Sequence, residues 1–393
     1  MRASFLLHTD LFSPSPVFRA TKEIGALRKV GFTCSAICWL KADEKLPPSE
    51  VRDGVQVTRF VYEPRPQRLT SLPERYRDLR KAARGLADRA ERERPDLIVP
   101  HDLEVLAAGI RSARSRDVPV VYDSHEDWPA MVGETSRLEG ILSTLLERRL
   151  CRKVSAVVTP SELVAERFRG WGVRAEVLHN SPYRADVEPL PTEVDIRSRR
   201  ESMGLQGAFI VGYIGRLAPH RGLELTIDAL AGLPDDVRFV VVGGPESEAE
   251  RLRKLAADRG VGKRVTFTGL VPRSEVVRYT ATFDVCVVLP PPLSRNYLTT
   301  LPNKAYDYMA AGVPILTSDL PSLRQTLVEE AGCAVAVPPQ VEAVRTALAD
   351  LRARRDLRSE LGRRGREAFL ERYAWDIQET KWLRLLREVG VSF

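Results

Sequence analysis

The chain has 393 residues, 44% of them hydrophobic and 29% charged, with a net charge of +7. That length exceeds one ordinary core, so two soluble domains are expected, and fibrous and disordered classes are excluded. The basic excess is arginine spread along the chain rather than gathered in a tail, which favours solvated surfaces plus a local anion site over a nucleic-acid stripe.

Short apolar runs alternate with amphipathic stretches from the start. Strands are expected at "ASFLLH", "FTCSAICWL", "VQVTRFVY", "DLIVP", "VPVVYD", "SAVVTP" and "AEVLHN". Helices are expected between them at 18–30, 69–94, 102–115, 136–153 and 160–169. The stretch "HNSPYRADVEPLPTEVD" carries Pro182, Pro189 and Pro191 among acids and reads as a linker. Beyond it come strands "FIVGYIG", "VRFVVVGG", "VTFTG", "DVCVVLP", "VPILTS" and "CAVAV". Helices are expected near 220–232, 247–259, 274–281, 303–311, 320–330, 340–353 and 355–372. Such alternation predicts two doubly wound α/β domains with parallel sheets, residues 1–183 and 192–373. The last amphipathic stretch, 374–389, has no strand partner, so residues 374–393 are expected to pack back on the first domain.

Doubly wound sheets bind ligands beyond the carboxyl ends of their strands, and two of them are expected to face a cleft. In "GYIGRLAPHRGLELTIDAL" a strand leads through Arg216 and Arg221 into a helix. Helix amides, dipole and two guanidinium forks suit phosphate, although two surface arginines would look the same. "LPNKAYDYMAAGVPIL" sets Lys304 in the first turn of a helix, where a cation opposes the dipole unless an anion neutralises it. Asn303 can cap that turn or donate to a ligand, and Asp307, three residues after Lys304, can accept from vicinal hydroxyls. The plainer reading of Asp307 is an exposed pair with Lys304 worth a few tenths of a kcal/mol. In the first half, "VVYDSHEDWPAMVG" places His125 and Glu126 at a strand end beside acids.

These pieces, with "RFVVVGGPE" and "RVTFTGLVPRSEVVRYTATFDVCVVLP" in the same order and spacing, resemble the nucleotide-sugar-binding domain of retaining GT-B-fold glycosyltransferases of family 4. The resemblance is strong over 208–335 and weaker but ordered over 1–185. It implies a GT-B architecture, two Rossmann-like domains facing a cleft, and a sugar transferred from a nucleoside diphosphate to an acceptor hydroxyl with retained configuration. Arg216 matches the family's diphosphate-binding arginine, Arg221 stands where lysine is usual, and Lys304 can help neutralise the phosphates. Gly215, Gly243 and Gly244 line the strand ends, and Leu270 and Val271 match a turn that holds the base. The second glutamate of the family's Glu-x7-Glu pair, which binds ribose, falls at Asp307, and the first falls at Thr299. Leu301, Pro302 and Asn303 complete the donor set. On the acceptor side His125 matches a Tyr-Asp-x-His-Glu pattern with Glu126, and His101 and Asp102 match a His-Asp-Leu segment, Asp102 being also a candidate helix N-cap. Asp10 follows the first strand, where the family has a loop over the donor.

No Asp-x-Asp motif occurs, so no metal and no cofactor are expected beyond the donor substrate, with UDP-sugar slightly favoured. The expected partners are that nucleotide sugar and an acceptor saccharide, lipid-linked sugar or natural product, without nucleic acid. Two rivals share the fold: a catalytically silent sugar-nucleotide-binding partner and a sugar-nucleotide epimerase. The absence of Gly-x-Gly-x-x-Gly after the first strand argues against an NAD-dependent oxidoreductase. "MRASFLLH" is too short an apolar run for a signal peptide, and Cys34, Cys38, Cys151, Cys286 and Cys333 suit free buried thiols of a cytoplasmic protein. Peripheral contact at the inner membrane face stays open. Helix 69–94 sets Arg75, Arg77, Arg80, Lys81 and Arg84 beside Leu72, Leu79 and Leu86. Helix 136–153 sets Leu138, Ile141, Leu142 and Leu145 with Arg148, Arg149, Arg152 and Lys153. A stripe of either kind more often faces a core.

Overall fold

A computed structural model describes residues 1–13, 17–40, 44–61 and 72–393, the side chains of 72, 73, 75, 76 and 79 excepted. Part of the first expected loop (14–16), the end of the third expected strand (62) and the start of the second expected helix (69–71) lie outside the described residues. The chain divides into two units, Met1–Asn180 with Gln378–Phe393, and Ser181–Ile377. Residues 181–183 and 374–377, assigned from the sequence to the first domain, thus fall in the second unit. Trp375 N–H donates to the Pro182 carbonyl at 2.9 Å, and the Tyr183 and Trp375 rings meet edge to face at 6.4 Å.

The first unit carries strands β1 (Arg2–Leu7), β2 (Thr33–Leu40), β3 (Ser49–Arg52), β4 (Val55–Val61), β5 (Leu97–Pro100), β6 (Val121–Asp123), β7 (Ala156–Thr159) and β8 (Ala175–Val177). Two sheets, β3-β4-β2-β1-β5 and β6-β7-β8, are joined by the bridges Ile98–Val120 and His101–Asp123. All pairs are parallel except the hairpin β3-β4. The order reverses between β1 and β5, so the ends of those two strands flank a crevice that a loop residue can enter. Phe5, Leu7, Ala36 and Val99 fill one face together with Trp382, Leu385 and Leu386 from the end of the chain.

The second unit carries β9 (Phe209–Ile214), β10 (Val237–Val242), β11 (Val265–Gly269), β12 (Val285–Val288), β13 (Ile315–Ser318) and β14 (Ala334–Val337). Its sheet runs β11-β10-β9-β12-β13-β14, all parallel, with the switch point between β9 and β12. Central strands are buried on both faces, which is why they read as unbroken Val/Ile/Phe runs. Apolar clusters cover both faces. Among the described residues three α-helices have no counterpart among the expected ones: Trp128–Thr135, Glu193–Ser202 and Arg295–Thr299. The second lies at the end of the proline-rich stretch, where Thr192 and Asp195 form a capping box. All five cysteines are free and buried.

Candidate active site

At the switch point of the second unit β9 is followed by Gly215, whose N–H donates to the Val242 carbonyl at 2.9 Å. Gly243 has φ +149°, and a Cβ there would stand 1.8 Å from the Gly215 carbonyl oxygen, so no side chain fits. Gly243 N–H donates to Gly269 at 2.8 Å, and the Gly244 carbonyl accepts from Leu217 N–H at 2.7 Å. The ends of three strands are therefore drawn together with bare backbone around them.

Lys304 sits on this floor. Its Nζ lies 3.4 Å from the centroid of the Tyr213 ring and 3.2 Å from where a Gly215 Cβ would stand. Burial and the nearby Arg221 guanidinium hold the ammonium well below the usual lysine range, against the opposing pull of Asp307. Arg216 is exposed, and its carbonyl accepts from the Tyr213 hydroxyl at 2.8 Å. Among the described residues Arg216, Arg221 and Lys304 have no carboxylate partner, whereas Arg251, Arg259, Arg345 and Arg363 in the same unit are all paired. Like charges held together without counter-charge raise the free energy of the empty site and lower that of a site holding an anion. Lys304 and Arg221 lie close enough to repel one another, with Arg216 on the loop that leads to Arg221.

The rest of the expected donor set divides. Leu270 is 82% exposed, with its side chain lying against Gly244, while Val271 packs partly into the core. Pro302 is half-buried and Asn303 is exposed at the start of helix Lys304–Ala311. Asn303 makes no side-chain cap, so the capping expectation is not met. Leu301 is buried in the core, which takes its side chain away from any ligand. Thr299 donates to the Arg295 carbonyl at 2.9 Å. Asp307 needs a correction. Arg273 Nη1 and Nη2 hold its two carboxylate oxygens at 2.9 and 2.5 Å, so ribose hydroxyls would have to displace a bidentate charge-assisted pair. Sequence reasoning missed Arg273. It lies two residues beyond Val271, and only the fold brings it to a partner 34 positions away.

In the first unit the switch point holds a dense buried network. The bridge between β5 and β6 sets His101 beside Asp123. His101 Nδ1 is 2.8 Å from His125 Nε2, and both lie near one Asp123 oxygen, at 3.2 and 3.1 Å. Arg19 Nη2 is 2.6 Å from the other oxygen, and Glu23 is 3.4 Å from His101 Nε2. Asp102 occupies the N-cap position of helix Leu103–Ala113 without a capping bond. Its backbone is at φ +69°, and its carboxylate accepts the His125 N–H at 3.0 Å. Left-handed backbone in a non-glycine residue costs on the order of 1 kcal/mol or more, and here it turns the carboxylate toward His125. Glu126 is exposed next to it. Asp10 is corrected: it is fully buried, 2.5 Å from Arg59 Nε, and accepts the Phe12 N–H, so it fixes the loop after β1 instead of meeting an acceptor.

Burial pushes the Asp123 carboxyl up, but Arg19 and His125 outweigh it and hold the group well below the usual carboxylate range. Burial and Asp123 push Glu23 the other way, toward the neutral acid. For His125 burial pulls down, and Asp123 with Asp102 overcomes it, leaving the imidazole above its ordinary value. Burial wins for His101, which is lowered. Ligand atoms of His101, Asp123 and His125 lie within 4.8 Å of one another, the spacing a metal ion needs. Arg19 already balances Asp123, so a cation there would meet a guanidinium across the shared carboxylate. Arg19 and Glu23 were not foreseen; their spacing on helix Phe18–Lys29 reads as an ordinary surface pair, yet both are buried.

Two Rossmann-like units, each a parallel sheet with a switch point, are the architecture of a GT-B protein. Residues 195–368 match the profile of the family Glycosyl transferases group 1, and residues 19–183 match the Glycosyl transferase 4-like domain. A 2-deoxystreptamine glucosyltransferase of Streptomyces kanamyceticus is 28% identical over 66% of this chain and 72% of its own. A GDP-mannose-dependent alpha-(1-6)-phosphatidylinositol monomannoside mannosyltransferase of Mycolicibacterium smegmatis is 28% identical over 61% of this chain and 64% of its own. The fold matches that of Anabaena HepE, solved with UDP, at a TM-score of 0.75 and 17% identity over 99% of this chain and all of the other. The chain belongs to the family-4 type of the group 1 glycosyltransferases and uses nucleoside-diphosphate-sugar donors.

Proposed function

We propose that the chain transfers a sugar from UDP-sugar to an acceptor hydroxyl with retention of configuration and without a metal ion. The observation that carries this reading is the set Arg216, Arg221 and Lys304 beyond the end of β9, which have no carboxylate partner among the described residues. As the glycosidic bond breaks, charge grows on the leaving diphosphate. Two guanidinium groups and an ammonium fixed nearby stabilise that charge more in the transition state than in the ground state. They do the work that a divalent ion does elsewhere. Retention is what the family resemblance implies. Uridine is favoured by the likeness to HepE, which was solved with UDP and with UDP-glucose.

On the acceptor side His125 is the group proposed to meet the sugar hydroxyls or donor phosphate. Asp123 meets its ring nitrogen, as carboxylates do for catalytic imidazoles, and Asp102 holds its backbone N–H. The acceptor is a hydroxyl of a saccharide, lipid-linked sugar or natural product; the names of the relatives span an aminocyclitol and a phosphatidylinositol mannoside. A thermal-shift series with UDP, GDP, ADP and dTDP names the base by the largest stabilisation, expected for UDP. Arg216→Ala should lower turnover by about 100-fold or more, the size of one lost charge-stabilising donor, with the melting temperature kept. Unchanged turnover removes the phosphate role. A wild-type chain that binds UDP-sugar yet neither hydrolyses nor transfers it in any acceptor mixture is the silent binding partner instead.

A further inference from the structure

Helix Arg137–Cys151 is built inside out. Its inward side is Gly140, Glu147 and Cys151. Gly140 packs so closely on Gly133 of the preceding helix that a Cβ would come within 2.8 Å of its Cα. Glu147 is fully buried, accepting the Tyr122 hydroxyl at 3.0 Å and lying 3.0 Å from Arg167. The large apolar side chains point the other way: Leu138, Ile141 and Leu145 are 57%, 51% and 57% exposed. Positions 138, 141, 145, 149 and 152 advance by three or four residues and form one face, so this stripe runs on into Arg149 and Arg152, with Arg148 at its side. All three arginines are exposed, and among the described residues none has an ion pair. No carboxylate of this helix lies on the face, since Glu147 is buried and Glu139 is half-buried on the far side of the first turn. The second candidate stripe behaves differently: on helix Leu72–Arg92, Ala83, Leu86, Ala87 and Ala90 are in the core, while the side chains of Leu72, Arg75 and Leu79 lie outside the described residues.

We propose that the face of helix Arg137–Cys151 formed by Leu138, Ile141, Leu145, Arg148, Arg149 and Arg152 docks on the surface of an anionic lipid bilayer. Exposing three large aliphatic side chains in a row is unfavourable in water, and a groove on a protein partner would relieve it equally well. The arginines decide. An interfacial helix sinks its apolar residues to the headgroup boundary and lays its cations among lipid phosphates. Arginine is also common at protein–protein interfaces, but three exposed arginines with no carboxylate of their helix beside them and an aliphatic row next to them call for a surface that is densely anionic over an apolar layer, which a lipid bilayer supplies. No helix among the described residues is long and apolar enough to cross a membrane, so the contact is peripheral. The inference does not rest on sugar transfer, and its test needs no activity.

The test is co-sedimentation of the full chain with vesicles of phosphatidylcholine and phosphatidylglycerol at 3:1, against pure phosphatidylcholine. Binding is expected to the anionic vesicles and to weaken with salt. Leu138→Gln/Ile141→Gln/Leu145→Gln and Arg148→Glu/Arg149→Glu/Arg152→Glu should each weaken it by about tenfold or more, with the melting temperature unchanged. A Leu145→Trp variant reports insertion directly, by a blue shift of its emission on adding anionic vesicles. No binding to anionic vesicles overturns the proposal, as does binding that neither triple variant alters. So does a wild-type dimer that the glutamine variant makes monomeric without vesicle binding, which would give the face to a second copy of the chain.

Discussion

Lys304 and Glu104 show how single groups register what the site is waiting for. Lys304 is held low by burial and by Arg221, against the opposing pull of Asp307 and Cys286. A diphosphate reverses that balance, so binding should draw a proton onto the lysine. In a pH series below the free lysine value, UDP binding should show proton uptake, read as a slope of calorimetric enthalpy against buffer ionisation enthalpy. In Lys304→Met the slope should vanish. Glu104 lies 3.5 Å from His8, and burial, followed by Asp102, pushes its carboxyl up to about 8. A raised folded value means the native state holds a proton that the unfolded chain has released. The associated stability is whole below about pH 4.5 and is lost as pH rises through about 8. Glu104→Gln should therefore flatten the fall in melting temperature between pH 5 and about 8, and an unchanged profile would mean that the carboxyl ionises freely in the fold.

Strands and helices were largely legible because their signals are local. β9, β10 and β12 are apolar runs bounded by glycine and proline, and the helices between them carry their own periodicity. Short elements escaped: helix Arg295–Thr299 spans little more than one turn, and the edge strand β3 alternates without a strong apolar set. The positions of Arg216 and Arg221 after β9, and of Lys304 in the first turn of its helix, were legible because local sequence sets each of them. The site was not legible where distant elements cooperate. Arg273 takes Asp307 across 34 positions, Arg19 reaches Asp123 across the unit, and Arg59 buries Asp10. A stripe on 136–153 that sequence patterning would assign to a core proved exposed, because Gly140 gives the helix a different inward side. The terminal amphipathic stretch forms helix Trp375–Glu388, whose Trp382, Leu385 and Leu386 are buried in the first unit. Trp382→Ala should cost that unit about 3–5 kcal/mol, seen in denaturant as an early loss of its transition. A single unshifted transition would contradict the assignment of this helix to the core.

At the scale of the whole chain, both units use the same device. A parallel sheet reverses its order, and charged side chains gather at the strand ends on either side of the reversal. The contents differ. The first unit balances its charges internally, Arg19 against Asp123 and the imidazoles against carboxylates, which suits orienting neutral hydroxyls. The second leaves its cations unbalanced, which suits a diphosphate. Calorimetric titration of UDP and UMP into the wild-type chain and Lys304→Met tests that imbalance most directly. The wild type should prefer UDP by about tenfold or more, each tenfold being ~1.4 kcal/mol, and Lys304→Met should lose most of that preference while binding UMP as before. An equal UDP-to-UMP ratio in both proteins would contradict it, for the ammonium would then not be holding the leaving phosphate.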